Sequence, residues 1–141
     1  MNKAIRLICC CIGVGMPALG AAQPAPPSSY KPGLGDLMTM TVQPRHTKLG
    51  LAGQAGNWTY AAYELHELQE AFDRVVRISP RWRDFAVADM MPSVTKEPMA
   101  ALADAIQDSN SERFTKAYRQ LTDACNQCHQ SAERGMIVIQ V

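Results

Sequence analysis

The stretch WTYAAYELHELQEAFDRV, residues 58–75, carries the clearest helical pattern in the chain. Its apolar side chains recur at steps of three and four residues, so they share one face of an α-helix. Asn57 is a good N-cap before it, and Ser79-Pro80 is a helix-ending pair after it. The apolar face comprises Trp58, Ala61, Leu65, Leu68, Phe72 and Val75. We therefore predict an amphipathic helix that turns this face toward a core.

A similar apolar pattern precedes this helix, from Leu34 to about Gly53. Pro44 interrupts the pattern, because proline has no N–H to donate and its ring clashes with the carbonyl four residues earlier. We therefore expect the first helix to be kinked, or to start afresh near Gln43. Gly53 and Gly56 are expected to close it.

Two more helical patterns follow the central one. Thr95 is the expected cap of a third helix, with Pro98 tolerated in its first turn. A fourth helix follows the turn at Asp108–Ser111 and is expected to stop near Gly135. The apolar face of the fourth helix comprises Phe114, Tyr118, Leu121, Cys125 and Cys128. This face predicts that both cysteines point toward the core.

Four amphipathic helices with short links predict an all-α fold, an antiparallel up-down-up-down four-helix bundle. The sequence shows no repeated strand alternation that would argue against it. The exception is the tail Met136–Val141, in which β-favouring side chains dominate. We expect this tail to pack across one end of the bundle. The alternative is a docking strand for a partner.

Residues 1–22 have the pattern of a cleavable signal peptide, with Lys3 and Arg6 before an apolar centre and small residues at the exit. Residues 23–32 form a Pro-rich leader without apolar periodicity, which we expect to be disordered. The folded domain then covers residues 33–141. We predict export to the periplasm without stable membrane insertion, and an uncleaved N-terminal anchor is the alternative.

Removal of the signal peptide leaves two of the five cysteines, and both belong to the run Cys125-Asn126-Gln127-Cys128-His129. A C-x-x-C-H run has the spacing that attaches a c-type haem. On a helix the two thiols share a face and can reach both vinyl groups of one porphyrin, while His129 follows within reach of the iron. The sequence therefore predicts one covalent haem c. The porphyrin would supplement a core with only 6% aromatic residues.

Three other interpretations of the two cysteines have less support. A thioredoxin-type dithiol normally lies near a βαβ pattern, which this sequence lacks. A four-ligand zinc site needs further Cys or His residues, and only His46 and His66 remain, far apart in the sequence. A structural disulfide between Cys125 and Cys128 is the third alternative.

A haem motif on the last helix of a small four-helix bundle resembles the class II c-type cytochromes, the cytochrome c-prime group and its six-coordinate relatives. The resemblance covers roughly residues 33–135. In class I cytochromes the motif lies near the N-terminus, so its late position here favours class II. The resemblance implies thioether attachment at Cys125 and Cys128 and a proximal iron ligand at His129.

The chain departs from the class II pattern just after the motif. Cytochrome c-prime proteins often place an aromatic and a basic residue there, where this chain has Ala132 and Glu133, and Arg134 comes one residue late. A second resemblance, to small bacterial c-type cytochromes, rests on the runs RHTKL at 45–49 and AAYEL at 61–65, together with Asn57-Trp58.

The class II resemblance also implies that the first helix covers the distal face of the haem, which is open in five-coordinate members and methionine-ligated in others. That helix offers His46 as a candidate sixth ligand, with Met40 and Met38 as alternatives, and an open site is the other alternative. Arg45 and Lys48 are candidate partners of a haem propionate, because a buried carboxylate is costly without a cation. Solvated side chains are the alternative for both.

The sequence predicts an electron carrier rather than an enzyme, because no Ser-His-Asp, paired-carboxylate or phosphate-loop constellation stands out. Its iron would exchange single electrons with a redox partner protein. The alternative is a five-coordinate haem protein that binds NO or CO. The formal net charge of +1 becomes −1 without Lys3 and Arg6, so no basic field suggests nucleic acid. The sequence does not decide whether the protein forms a homodimer through a helix face.

Overall fold

The structure, a computed structural model, describes residues 30–141. The predicted signal peptide and residues 23–29 of the leader lie outside the described residues. In the described range the chain forms four helices and no β-strand, so the all-α prediction is confirmed. We label them α1 (Leu34–Leu37, Met38–Val42 and Gln43–Gln54 in succession), α2 (Trp58–Ile78), α3 (Val87–Gln107) and α4 (Ser111–Ser131). None of these helices is both long and apolar enough to cross a membrane.

Helix α1 changes its winding at Met38–Val42, a π-helical segment between two α-helical ones. The N–H of Gln43 donates to the Met38 carbonyl across this wider turn, and Pro44 then lies in the first turn of Gln43–Gln54. A proline is tolerated there because its fixed φ suits the start of an α-helical segment. An α-helical segment begins at Gln43, near the expected position, but it continues the preceding π-helical segment without a break in the helical backbone.

Helix α1 ends in a Schellman motif, in which Gly56 takes a φ of 66°. The N–H groups of Gly56 and Asn57 donate to the carbonyls of Gly53 at 3.0 Å and Ala52 at 2.9 Å. Gly56 closes the helix as expected, because glycine adopts this left-handed conformation without strain.

Asparagine side chains cap two helices. The side-chain oxygen of Asn57 accepts the Tyr60 N–H at 3.2 Å at the start of α2. The side-chain oxygen of Asn110 accepts the Arg113 N–H at 2.9 Å at the start of α4. Each bond satisfies a backbone donor that has no partner within its own helix.

Helix α3 starts earlier than its sequence pattern indicates. It begins at Val87 and contains both Pro92 and Pro98, so the prediction that Thr95 caps it is wrong. The Thr95 hydroxyl instead donates to the Met91 carbonyl at 2.8 Å inside the helix. Val87 and Met91 are buried, and tertiary burial of this kind stabilises a helix through a proline that removes one backbone donor.

Helix α4 ends at Ser131, so the prediction that Gly135 stops it is wrong. Glu133, with a φ of 57°, takes the left-handed position that glycine usually occupies. The N–H of Arg134 donates to the His129 carbonyl at 2.7 Å and completes a Schellman motif. After this motif the chain reverses direction and runs back along α4.

Each helix packs against the next one in the chain, and α1 also packs against α4. The predicted apolar face of α2 lies in the core, with Trp58 and Leu65 partly buried and its other members buried. The largest fully buried side chains come from all four helices and are Phe114, Leu49, Leu68, Leu102, Leu121 and Val75.

The tail after α4 packs on the helices through hydrogen bonds rather than as a strand. The side-chain amide of Asn126 donates to the Ile139 carbonyl at 3.0 Å, and the Ile139 N–H donates back to Asn126 Oδ1 at 2.7 Å. Met136 and Val138 are exposed. Polar contacts with α4 therefore hold the tail in place.

Candidate functional site

The helices enclose a cavity of about 270 Å³. Its walls come from the N-terminal half of α1, the loop between α2 and α3, the start of α3, the last turns of α4 and the C-terminal tail. Apolar side chains dominate the lining and include Leu34, Val42, Phe72, Phe85, Val87 and Met91. A mainly apolar cavity with a few polar groups is the usual form of a cofactor or small-molecule site.

Cys125, Cys128 and His129 all line this cavity. The two cysteines are three residues apart on α4 and therefore share a face of the helix. Both are free thiols with intermediate burial. The structure thus brings the three chemical groups of the C-x-x-C-H run to one apolar space.

Burial makes both thiols weak acids. Desolvation raises the pKa of the Cys125 thiol from its ordinary value of 9.0 to about 12, and it raises the pKa of the Cys128 thiol as well. The thiolate is the nucleophile in disulfide exchange, and reactive cysteines have a lowered pKa. Both shifts are therefore opposite in direction to the lowered pKa of a reactive cysteine.

The ring of His129 is held by the C-terminal tail. Its Nδ1 lies 2.9 Å from the carbonyl oxygen of Ile137. Because a carbonyl only accepts, Nδ1 is the donor in this bond, and Nε2 is the ring nitrogen left for another partner. Metal-binding histidines commonly donate their other ring N–H in this way. The hydrogen bond therefore orients His129 as it would orient a metal-binding histidine.

His46 lies on α1 at the cavity wall and is only 4% exposed. Its Nε2 is 3.0 Å from Thr122 Oγ1, and its Nδ1 is 3.1 Å from the Tyr118 hydroxyl. Burial lowers the pKa of His46 to about 4, so the ring is neutral at pH 7. To bind a metal through Nε2, His46 would first have to release Thr122.

Two glycines let α1 approach α4 closely at this point. A Cβ on Gly50 would lie 2.5 Å from the Tyr118 ring, and one on Gly53 would overlap the Phe114 ring. Close-packed interiors do not tolerate such overlaps without displacement. The absence of side chains at these two positions therefore allows the His46–Tyr118 contact, and no helical period in the sequence reveals it.

The two candidate methionines of α1 have different surroundings. Met38 lines the cavity and is partly buried against the core. Met40 is 75% exposed and is not among the cavity residues. Only Met38 has its side chain where a cofactor in the cavity could meet it.

Arg45 and Lys48, the candidate propionate partners, pair with carboxylates of α2 instead. Arg45 Nη2 lies 3.4 Å from Glu67 Oε2, and Lys48 Nζ lies 3.8 Å from the buried Glu64 Oε1. Neither cation lines the cavity. Their surroundings give them a role in joining α1 to α2.

A basic and aromatic cluster at the cavity was missed from the sequence. The Arg134 and Arg83 guanidinium carbons lie 4.4 Å and 4.7 Å from the centre of the Trp82 ring. Trp82 and Arg134 line the cavity. The apolar character of the loop around Trp82 hinted at burial, but its contact with a residue beyond the end of α4 had no local signal.

These residues fit a covalent haem c. Two thiols and the imidazole of His129 line one apolar cavity, and Arg134 adds a cation for the carboxylates of such a group. Within residues 30–141, no group of three or more His, Cys, Asp or Glu side chains is arranged to hold a metal ion. Comparison with protein-family models, with curated proteins and with solved structures finds no match to this chain.

Proposed function

We propose that this chain is an exported mono-haem c-type cytochrome of the class II type, which carries single electrons in the periplasm. The observation that carries the proposal is the meeting of Cys125, Cys128 and His129 at one apolar cavity. A bound haem would supply the one-electron ferric–ferrous couple. A redox protein would be the partner.

The chain's own residues would bind the haem, orient its ligand and shield it from water. Cys125 and Cys128 would each add S–H across a vinyl group and so form two thioethers. His129 would donate its Nε2 lone pair, while the Ile137 carbonyl keeps the Nδ1 proton in place. The apolar lining would exclude water and favour the less charged oxidation state of the metal.

The proposal includes an antiparallel up-down-up-down bundle. Support comes from the contacts between α1 and α4, in which residue numbers fall along one helix as they rise along the other. The pairs are Gly53 with Phe114, Gly50 with Tyr118 and His46 with Thr122. Export rests on the signal-peptide pattern of residues 1–22, as the sequence indicates.

Met38 is the sixth-ligand candidate that the geometry favours. It lines the cavity, whereas Met40 faces solvent, and the ring nitrogens of His46 lie within 3.0 Å of Thr122 Oγ1 and 3.1 Å of the Tyr118 hydroxyl. Met38 also begins the π-helical segment of α1, and single π-helical turns occur frequently at functional sites. A thioether ligand would raise the reduction potential relative to a second histidine.

The hydrogen bonds of His46 also favour a second candidate function. If His46 stays with Thr122 and Tyr118 and Met38 does not bind, the distal face is open. The chain would then be a five-coordinate haem protein that captures NO or CO. The apolar cavity suits uncharged diatomic molecules.

Absorption spectra of the purified protein, oxidised and reduced and with and without CO, test both candidates. We expect one covalent haem, by intact mass and pyridine haemochrome, and a low-spin spectrum that CO does not change quickly. A haem-free folded protein would refute both candidates. A high-spin spectrum with rapid CO binding would replace the electron carrier by the gas-binding protein.

A further inference from the structure

The two middle residues of the C-x-x-C-H run, Asn126 and Gln127, have different surroundings. Attachment chemistry needs neither side chain, so the spacing alone gives them no role. Asn126 is partly buried and makes two hydrogen bonds with Ile139, whereas Gln127 is exposed. The chain therefore uses one of the two positions for a specific contact.

The Asn126–Ile139 contact is reciprocal and fixes the register of the tail. The Asn126 amide donates to the Ile139 carbonyl at 3.0 Å, and its oxygen accepts the Ile139 N–H at 2.7 Å. The side-chain amide of Asn126 thus pairs with both the N–H and the carbonyl of one backbone residue. This double pairing fixes the position of Ile139 along α4. Ile139 is thereby anchored to α4.

This register presents the Ile137 carbonyl to His129 at 2.9 Å. Asn126 and His129 are three residues apart on α4 and share a face, so the tail can contact both as it runs along the helix. Ile137 and Ile139 are two residues apart in the tail, and both line the cavity. One short segment thus orients the histidine and closes the cavity.

Apolar burial of the tail is confined to Ile137, which is 48% exposed, and Ile139, which is partly buried. Met136, Val138 and Val141 are exposed by 77%, 59% and 65%. A turn bond from the Ile137 N–H to the Arg134 carbonyl, at 2.9 Å, fixes only its first residues. The two bonds to Asn126, at about 1 kcal/mol each, therefore add to the cavity contacts of Ile137 and Ile139.

We propose that Asn126 is a positioning residue for His129, acting through the Ile137 carbonyl of the C-terminal tail. The inference rests on the proposed haem site for its functional meaning. Asn126 keeps the tail in register, the Ile137 carbonyl accepts from Nδ1 and fixes the orientation of the ring, and Nε2 is left as the nitrogen that would bind the iron. The Nδ1–H bond to a carbonyl also makes His129 a more electron-rich ligand, which favours the ferric state.

The experiment compares Asn126→Ala with the matched variant Gln127→Ala in the full-length purified protein. Amide hydrogen exchange measured by NMR should show Ile139 exchanging about tenfold faster in Asn126→Ala, because its acceptor is gone. The ¹⁵N shift of His129 Nδ1 should change, because the Ile137 carbonyl is no longer held against it. In haem-loaded protein the midpoint potential should shift to a more positive value. Gln127→Ala should leave all three unchanged.

A chain that ends at Gly135 provides a second test, because α4 has its own cap and does not need the tail. It should reproduce the His129 and potential changes of Asn126→Ala. The proposal is overturned if Asn126→Ala behaves like Gln127→Ala, or if the shortened chain keeps the wild-type ring shifts. A haem-free protein would refute the proposed function alone, since exchange and ring shifts are measured without haem.

Discussion

The imidazole of His46 stacks on the phenol of Tyr118 with ring centroids 4.7 Å apart, while the Tyr118 hydroxyl donates to the His46 carbonyl at 3.0 Å. The same hydroxyl lies 3.1 Å from His46 Nδ1. One residue of α4 thus engages both the ring and the backbone of one residue of α1. These polar groups are buried, so a group that lost its partner would have no water to replace it. Breaking these hydrogen bonds therefore lowers the free energy of unfolding more than breaking a surface hydrogen bond.

The first prediction concerns the pH dependence of stability. The pKa of His46 falls from 6.5 in the unfolded chain to about 4 in the fold. Between these values the unfolded chain binds a proton that the folded chain does not. The free energy of unfolding should therefore fall as the pH drops from about 6.5 to about 4, by about 3 kcal/mol from this group.

Urea denaturation at a series of pH values measures this effect. His46→Gln cannot titrate, so its stability should change less over the same range, and the difference from wild type isolates His46 from the carboxylates. Parallel curves for the two proteins would show that His46 is not held in its neutral form.

The second prediction concerns the sixth ligand. Met38→Leu should convert a low-spin haem spectrum to a high-spin one and allow CO to bind, because leucine keeps the volume and removes the sulfur ligand. Met40→Leu is the matched control, since that side chain is 75% exposed and should leave the spectrum unchanged. If His46→Gln changes the spin state and Met38→Leu does not, His46 is the ligand.

The third prediction tests the close approach of α1 and α4. Gly53→Ala should lower the free energy of unfolding by about 1–3 kcal/mol, because the new Cβ overlaps the Phe114 ring. The helix propensity of alanine would by itself raise stability by about 1 kcal/mol. In a Phe114→Leu background the cost of Gly53→Ala should shrink. Equal costs in both backgrounds would locate the strain elsewhere.

The fourth prediction concerns the cation at the cavity. Arg134→Gln should make the midpoint potential of the haem-loaded protein more negative, since losing a nearby positive charge stabilises the ferric state. Arg45→Gln removes the same charge from a side chain that pairs with Glu67 away from the cavity, and it should have little effect. The shift should weaken in high salt. Equal shifts in both variants would remove the special role of Arg134.

Local patterns of the sequence predicted the parts of the fold that depend on neighbours along the chain. The apolar period of residues 58–75 fixed α2, and the spacing of Cys125 and Cys128 placed both thiols on one face of α4. The interior prolines of α3 led to a wrong prediction of where the helix starts. Proline favours the first turn of a helix, so Pro98 indicated a start near Thr95. Burial of Val87 and Met91 instead extends the helix back to Val87.

Contacts between distant residues had no such signal. Arg45 pairs with Glu67 on the next helix, Arg134 stacks on Trp82, and the Ile137 carbonyl reaches His129. Each of these pairs depends on how two segments meet, which periodicity does not encode. The motif therefore predicted the attachment residues, while the contacts of Arg134 with Trp82 and of the Ile137 carbonyl with His129 needed the structure.

The fifth prediction distinguishes haem attachment from thiol redox chemistry. With the pKa of the Cys125 thiol at about 12 rather than 9.0, its thiolate fraction at pH 8 falls about a thousandfold. In haem-free folded protein, alkylation of Cys125 by iodoacetamide should therefore be far slower than in the same chain in urea. Mass spectrometry of peptides at timed intervals measures both rates. Reaction of folded Cys125 as fast as in urea would revive the dithiol interpretation, because a catalytic dithiol needs an accessible thiolate.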